Sequence, residues 1–292
     1  MTSRGVKTFF AKRVARSLPV LWLLIVVCLR GLAQSSRERG HVEGGAPISV
    51  ERVKQLRENV DAWPLIVHPT NAAEQRINET LANLNRKFAK RVQDCISGKF
   101  AWSKGFNEGE WGRTVKVTMQ GPRFLSMVAS DDFYCGTAHP DDDLVVLVFN
   151  IEIGEQVDWS ALVGKSAGAS LSKNELGDED GTPPLMLPEL QATYAAADKD
   201  YCKDDFEDER SFVLWPDAES GTLVAEVAGL PHVALPCKNE LKLTIEQSRN
   251  LGFDESLLQA IEEAHRIAVV GSKVKPVRKQ PAPTSATPPN SR

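Results

Sequence analysis

The first 33 residues run from basic to apolar to small, and that order fixes the compartment in which the rest of the chain must fold. Arg4, Lys7, Lys12, Arg13 and Arg16 come first, with no acid among them. An apolar run from Leu18 to Leu29 follows, broken only by Pro19, and Gly31-Leu32-Ala33 closes it with small residues. This is the pattern of a secretory signal peptide, with cleavage expected after Ala33. The alternative is a retained anchor, but a bilayer span needs about 20 apolar residues and this run is shorter. The chain is therefore expected in a bacterial periplasm or secreted, and not embedded in the membrane after signal removal.

Export changes how the cysteines are read. Cys28 leaves with the signal, and Cys95, Cys135, Cys202 and Cys237 remain. An even number in an oxidising compartment implies disulfides. Four cysteines allow three pairings, among which spacing alone does not choose. No Cys-x-x-Cys pair exists to suggest zinc.

Loss of the signal also shifts the charge. The whole chain carries −4, and removal of six bases leaves 29 bases against 39 acids, a net charge of −10. Such a surface argues against a nucleic-acid partner, whose phosphates require a basic face. It suits a basic protein, or serves simply to keep the chain in solution. Domain boundaries follow from composition. Residues 34–47, rich in Gly, Ser and Arg, read as a flexible leader. Residues 48–268 form the folded region, and 269–292 a disordered Pro-rich basic tail.

Periodicity within 48–268 predicts an α+β fold, with antiparallel sheets packed by helices. Val50, Val53, Leu56 and Val60 have helical spacing, predicting a helix over Ser49–Val60. Ile77, Leu81, Leu84, Phe88 and Val92 make the apolar face of a longer helix from Asn71 to Asp94, with Cys95 at its end. The Asn78-Glu79-Thr80 sequon inside it reads as coincidence. Strands are expected at Thr114–Met119, with Val115, Val117 and Met119 on one side, and at Phe124–Ala129 and Leu144–Ile153. Short turns at Gly121-Pro122 and Gly154-Glu155 make this a meander. Further elements are a helix over Leu187–Ala197, strands at Phe212–Trp215 and Thr222–Ala228, an extended Val233–Pro236, and a helix after Asp254.

One segment resembles a known family. Gly121-Pro122-Arg123-Phe124-Leu125-Ser126, then Phe133-Tyr134-Cys135-Gly136-Thr137-Ala138-His139-Pro140, Val148-Phe149-Asn150-Ile151 and Gly154-Glu155-Gln156-Val157-Asp158-Trp159 are similar to a bacterial extracytoplasmic domain of unknown function. That domain forms the outer part of the lysozyme-sensing anti-sigma factor RsiV, and a related one precedes the catalytic part of some cell-wall polysaccharide deacetylases. Thr137 replaces the family's second Gly, and Ile153 its Thr before the turn glycine. The resemblance spans roughly residues 70–245 and implies envelope residence with a binding role toward lysozyme-like proteins or cell-wall glycan such as peptidoglycan. It does not imply catalysis. With Cys95 at a helix end and Cys135 on this turn, Cys95–Cys135 is expected as one bridge and Cys202–Cys237 as the other.

The binding site expected from these residues is Tyr134, Gly136, His139, Asp141, Asp142 and Asp143. A plain structural turn stapled by Cys135 is the competing reading. Neighbouring side chains of Asp141-Asp142-Asp143 point different ways, so a loop of solvated acids is expected there. Asp131 and Asp132 keep a Ca²⁺-type site open. No catalytic residue, metal or cofactor is assigned. Gly164-Lys165-Ser166-Ala167-Gly168 fits the serine-hydrolase motif, but Asp158–Val163 before it reads as a short helix or turn, not the strand the motif requires. A cell-wall hydrolase using Ser166 or a metal near His139 is the alternative function, and an envelope protein without a defined ligand is another. Trp159 is expected in the core. Trp102 and Trp111 are compatible with either core or a glycan-stacking surface.

Overall fold

The computed structural model describes residues 48–99, 109–164, 169–171, 181–197, 210–230 and 236–273. The expected signal peptide, leader, Trp102, Ser166, Cys202 and the tail beyond Lys273 lie outside them.

Helix α1 spans Ala72–Ile96. It starts where the sequence places it, because the Asn71 side chain accepts from the Glu74 amide at 2.9 Å and caps the first turn. Its stripe Ile77, Leu81, Leu84, Phe88 and Val92 is buried as the periodicity requires. Burial of each such side chain contributes about 1.5–3 kcal/mol.

The stripe lies on a four-stranded antiparallel meander of β3 (Glu110–Gln120), β4 (Phe124–Tyr134), β5 (Asp141–Asn150) and β6 (Glu155–Gln156). Because strand side chains alternate, this sheet has two buried faces. Leu125, Met127, Ala129, Leu147 and Phe149 meet α1. Phe124, Val128, Val146 and Val148 face a second core. That core is completed by a five-stranded antiparallel sheet: β7 (Ser170–Leu171), β8 (Leu185–Met186), β9 (Ser211–Asp217), β10 (Thr222–Val227) and β11 (Leu241–Leu243). Helix α2 (Pro188–Ala197) and two further helices, α3 (Ile245–Asn250) and α4 (Glu255–Lys273), accompany it. Phe212, Leu214, Leu223, Ala225, Leu257 and Ile261 are among its buried contributors. The result is α+β with antiparallel sheets and helices, and Trp159, 1% exposed, is in the core as expected.

Three local expectations are corrected. Ser49–Val60 is not helical. Val50 and Glu51 form β1, which pairs with Leu65–Ile66 (β2). Val60 then makes a parallel bridge to Arg113. Arg113 N–H donates to Asn59 O at 2.9 Å, and Asp61 N–H donates to Arg113 O at 3.1 Å. An isolated helix this short is marginal, and the unpaired edge of β3 offers its backbone groups partners that a solvated helix lacks. Second, Val115, Val117 and Met119 do not share one side. The β3–β4 register shifts between Val117 and Met119, and this bulge turns Met119 into the core opposite the one that Val115 joins. Third, β5 ends at Asn150, not Ile153. Gly154 N–H returns to Asn150 O at 2.8 Å with Gly154 at φ +72°, which closes a turn that no strand can continue.

Gly154 is fixed twice over. Its positive φ disfavours any Cβ, and a Cβ there would run into the backbone of Ala73 at the start of α1. Gly154→Ala is expected to destabilise the protein by more than about 1 kcal/mol in chemical denaturation, with α1's docking weakened.

Candidate functional site

The segment Tyr134–Asp143 is the far end of the β4–β5 hairpin. The acids are not in a loop as expected: Asp141, Asp142 and Asp143 begin β5, and Asp131 and Asp132 lie in β4. Backbone pairing drew them into the ladder because a three-stranded register runs to the tip. Asp131 pairs with Asp143 and with Arg113, Asp132 with Asp142 and with Gly112, and Phe133 with Asp141 and with Trp111. Successive rows therefore present opposite faces. Three adjacent aspartates cannot converge on one ion, and no cluster suited to a metal occurs among the described residues.

Like charges directly opposite on neighbouring strands repel, so each face needs compensation. On the α1 face it comes from Arg113. Its guanidinium carbon is 3.7 Å from the Phe88 ring centroid and 4.7 Å from that of Trp63. Its Nε lies 3.7 Å from Asp131 Oδ1. Trp111 Nε1 donates to the same oxygen at 3.0 Å. Asp131 is 4% exposed. Burial pushes its carboxyl up to about 6, and Arg113 and the Trp111 hydrogen bond pull against that. On the other face, Lys238 Nζ donates to Asp142 Oδ2 at 3.1 Å and sits 3.3 Å from Glu226 Oε1. Burial opposes the charge on Lys238, but the Glu226 and Asp142 carboxylates outweigh it and hold its pKa above the usual lysine value.

The tip itself is tied to α1. Cys95 and Cys135 form the disulfide expected, joining residues 40 apart in sequence, a closure contributing about 2–4 kcal/mol. Among the described residues it is the disulfide whose two halves are both seen. Cys237 is buried. Gly136 follows at φ +79° and is buried, while Thr137 to Pro140 are exposed. Thr137 Oγ1 donates to His139 O at 2.9 Å, and His139 Nδ1 is 2.9 Å from Pro140 O. A ring nitrogen facing a carbonyl is the donor, so local contacts already engage this histidine.

Of the expected site residues, His139, Asp141 and Asp142 are exposed, Tyr134 and Asp143 are half-buried, and Gly136 is buried. They belong to one hairpin end, and none of them lines either of the two grooves that follow. Two grooves lie elsewhere. One, of about 570 Å³, runs beside β3 past Arg52, Asp61 and Lys116. Another, of about 580 Å³, lies between Gly221 and α4. Trp111 is buried, stacked on Phe133 at 4.5 Å between centroids, so it supplies core and not a glycan platform. Asp158–Leu162 is a capped 3₁₀ turn, as the reading of the serine motif required.

The sequence reading missed Arg113, Glu226 and Lys238. Arg113 was legible: it continues the alternation Arg113, Val115, Val117 onto the buried face, and starting the strand at Thr114 hid it. Lys238 lies 96 residues from Asp142, and no local pattern signals that pairing.

No family model matches the chain, and no curated protein matches it. Among solved structures it is similar to DUF3298 family proteins. One from Bacteroides fragilis is 9% identical, with the match covering 74% of this chain and 95% of that one at a TM-score of 0.42. Another from Pseudomonas aeruginosa is 12% identical, covering 73% of this chain and 97% of that one at a TM-score of 0.43. No helix among the described residues is long and apolar enough to cross a membrane.

Asp131 makes a pH signature. Its folded pKa of about 6 stands above the ordinary 3.8, so the folded state holds its proton more tightly than the unfolded state. Its contribution to stability is present below pH 4 and is lost as pH rises through 6. Urea denaturation of the native protein and Asp131→Asn across pH 4–7 is expected to show a difference in slope. The native protein loses about 1–3 kcal/mol over that range relative to the variant.

Proposed function

We propose that this chain is a non-enzymatic extracytoplasmic binding domain whose acidic hairpin end receives a basic protein of the lysozyme kind. The observation that carries this is the hairpin's charge arrangement. Five aspartates end two paired strands, and the cations that compensate them, Arg113 and Lys238, are withdrawn into the structure. What meets solvent is Thr137 to Asp142 together with Asp132. This is an acidic, preorganised end, and neither of the two grooves described above is lined by it. Such a shape suits the face of a basic protein more than a sugar chain, which needs a cleft or an aromatic platform.

The amino-terminal pattern supports export with cleavage after Ala33 and residence in the bacterial periplasm or beyond the cell. The resemblance of the Gly121–Trp159 segments to the RsiV outer domain is compatible with a lysozyme-like protein or with peptidoglycan, and the acidity of the hairpin end favours the basic protein. In the exported form, Cys202–Cys237 is the second bridge of the reading. Mass spectrometry of unreduced peptides is expected to yield a Cys202–Cys237 pair beside Cys95–Cys135. Any linkage of Cys95 to either of the later cysteines would refute it.

The binding reading is tested with immobilised lysozyme. The exported protein is expected to bind it with an affinity that falls with ionic strength. The double variant Asp132→Asn with Asp141→Asn should bind about tenfold more weakly, mainly through slower association. Undiminished binding by the variant, or retention on peptidoglycan but not on lysozyme, would sink the proposal.

A further inference from the structure

Strand β3 is the edge of its sheet, and residues 59–61 cover only part of that edge. The Arg113 N–H donates to Asn59 O at 2.9 Å, the Asp61 N–H donates to Arg113 O at 3.1 Å, and the Val115 N–H donates to Asp61 Oδ2 at 3.2 Å. In an antiparallel strand the backbone groups of every second residue point to the same side. Arg113 sets that phase, so Val115 and Val117 also present their groups to the open edge. Beyond them, the carbonyl of the bulge residue Thr118 accepts the Ala218 N–H at 2.9 Å. Between these two covers, the Val115 carbonyl and both backbone groups of Val117 have no protein partner among the described residues.

The groove of about 570 Å³ opens at this gap. Besides Val115 and Val117, its apolar lining is Val50, Val53, Ala62 and Pro64. Val50 belongs to β1, which also pairs on one side only. Two strands with an unpaired edge therefore border one groove. Outward groups on β3 recur about every 6.8 Å, a spacing that another extended backbone reproduces.

Charge narrows the choice of strand. The Asp61 carboxylate is already engaged by Gln55 Nε2 at 3.0 Å and by Val115. Of the other charged residues lining the groove, Arg52 and Lys116 outnumber Glu51. Lys116 Nζ lies 3.5 Å from Glu219 Oε2, but both side chains are mostly exposed, and such a pair is weak enough to exchange. A strand with an acid facing Lys116 is favoured, and one with a base there is opposed. The same lysine disfavours a second copy, because symmetric edge-to-edge pairing about Lys116 sets it against its own counterpart.

We propose that the Val115–Val117 edge of β3 is a docking slot for an extended segment of another polypeptide, apolar and β-branched opposite the valines and acidic opposite Lys116, which adds antiparallel to the sheet. The proposal does not depend on the hairpin end, whose acids take no part in it.

The probe is a fluorescein-labelled peptide, Ser-Thr-Val-Glu-Val-Thr-Ser, whose central three residues complement Val115-Lys116-Val117, titrated into the purified protein and followed by anisotropy. Binding is expected, and replacing the peptide's Glu by Lys should weaken it about tenfold. Lys116→Glu should reverse that preference. Lys116 is 60% exposed, so the variant's thermal transition should match that of the native protein. Methylating the backbone nitrogen of either peptide Val, which faces β3, should weaken binding about tenfold or more, whereas methylating that of Glu, which points away, should change it less than about twofold. Hydrogen exchange at the Val117 amide should slow about tenfold or more on saturation with peptide. Absence of binding, or an unchanged Val117 amide, overturns the proposal. Equal binding of the Glu and Lys peptides, or equal losses from the two kinds of methylation, does so too, since either means apolar capture without strand pairing. So does a Val117 amide already protected in the protein alone, which would show the edge covered by a second copy or by this chain's own leader.

Discussion

The buried contact of Arg113 with Asp131 is the constraint on which the arrangement of this protein rests. Neither group can be buried alone: an unpaired charge at such a site costs about 3–5 kcal/mol. Together they are surrounded by Trp63, Phe88 and Trp111, one aromatic each from the segment before α1, from α1 itself and from β3. The segment before α1, α1 itself and β3 must therefore meet before the pair is fully enclosed. Arg113's own backbone carries the bridge that holds residues 59–61 against the sheet edge. The charge pair, the aromatic cluster and the edge closure are one structure, centred on one residue.

The same row explains why the acidic strands can pair at all. Asp131 and Asp143 face each other across the ladder, as do Asp132 and Asp142. Repulsion between them is offset on one face by Arg113 from the next strand, and on the other by Lys238 from the layer of the second sheet. The hairpin end thus reports on both cores: its α1 face depends on the smaller and its opposite face on the larger. The bulge at Val117–Met119 performs a related division within a single strand, giving Val115 to one core and Met119 to the other.

What sequence could reveal follows the range of the forces involved. Helix α1 was legible because its five-residue stripe and its Asn71 cap are local. The meander was legible because its turns are short and carry glycine. Cys95–Cys135 followed from one cysteine ending a helix and the other sitting on the hairpin turn. Ser49–Val60 misled because helical spacing of valines and leucine is equally satisfied by a segment that spirals irregularly along a sheet edge, and only the unpaired edge of β3 decides between them. The aspartates misled for the converse reason. Asp is disfavoured in strands, so Asp131-Asp132 and Asp141-Asp142-Asp143 read as loop, and the partners that overrule this preference come from positions 113 and 238. The site's chemistry was therefore visible as composition, while its geometry depended on two cations remote in sequence.

That geometry bears on whether the hairpin end is merely a solvated turn. A turn needs only its own hydrogen bonds, and Thr137, His139 and Pro140 supply them. Here the strands leading to it are also held from both sides, by a disulfide to α1 and by Lys238 to the second layer. Both ties lower the conformational freedom of a segment whose outermost residues bury almost nothing. Rigidity that does not serve a core reduces the entropy lost when a partner settles on that surface. The acids at the tip are arranged accordingly: the cations offsetting them are taken inward, so the outward field stays negative. A fold indifferent to what meets this surface could leave neutral residues in those strands and dispense with buried Arg113 and half-buried Lys238. Retaining the charges, with one cation on each face to hold them, fits the proposed role of this hairpin as a binding surface.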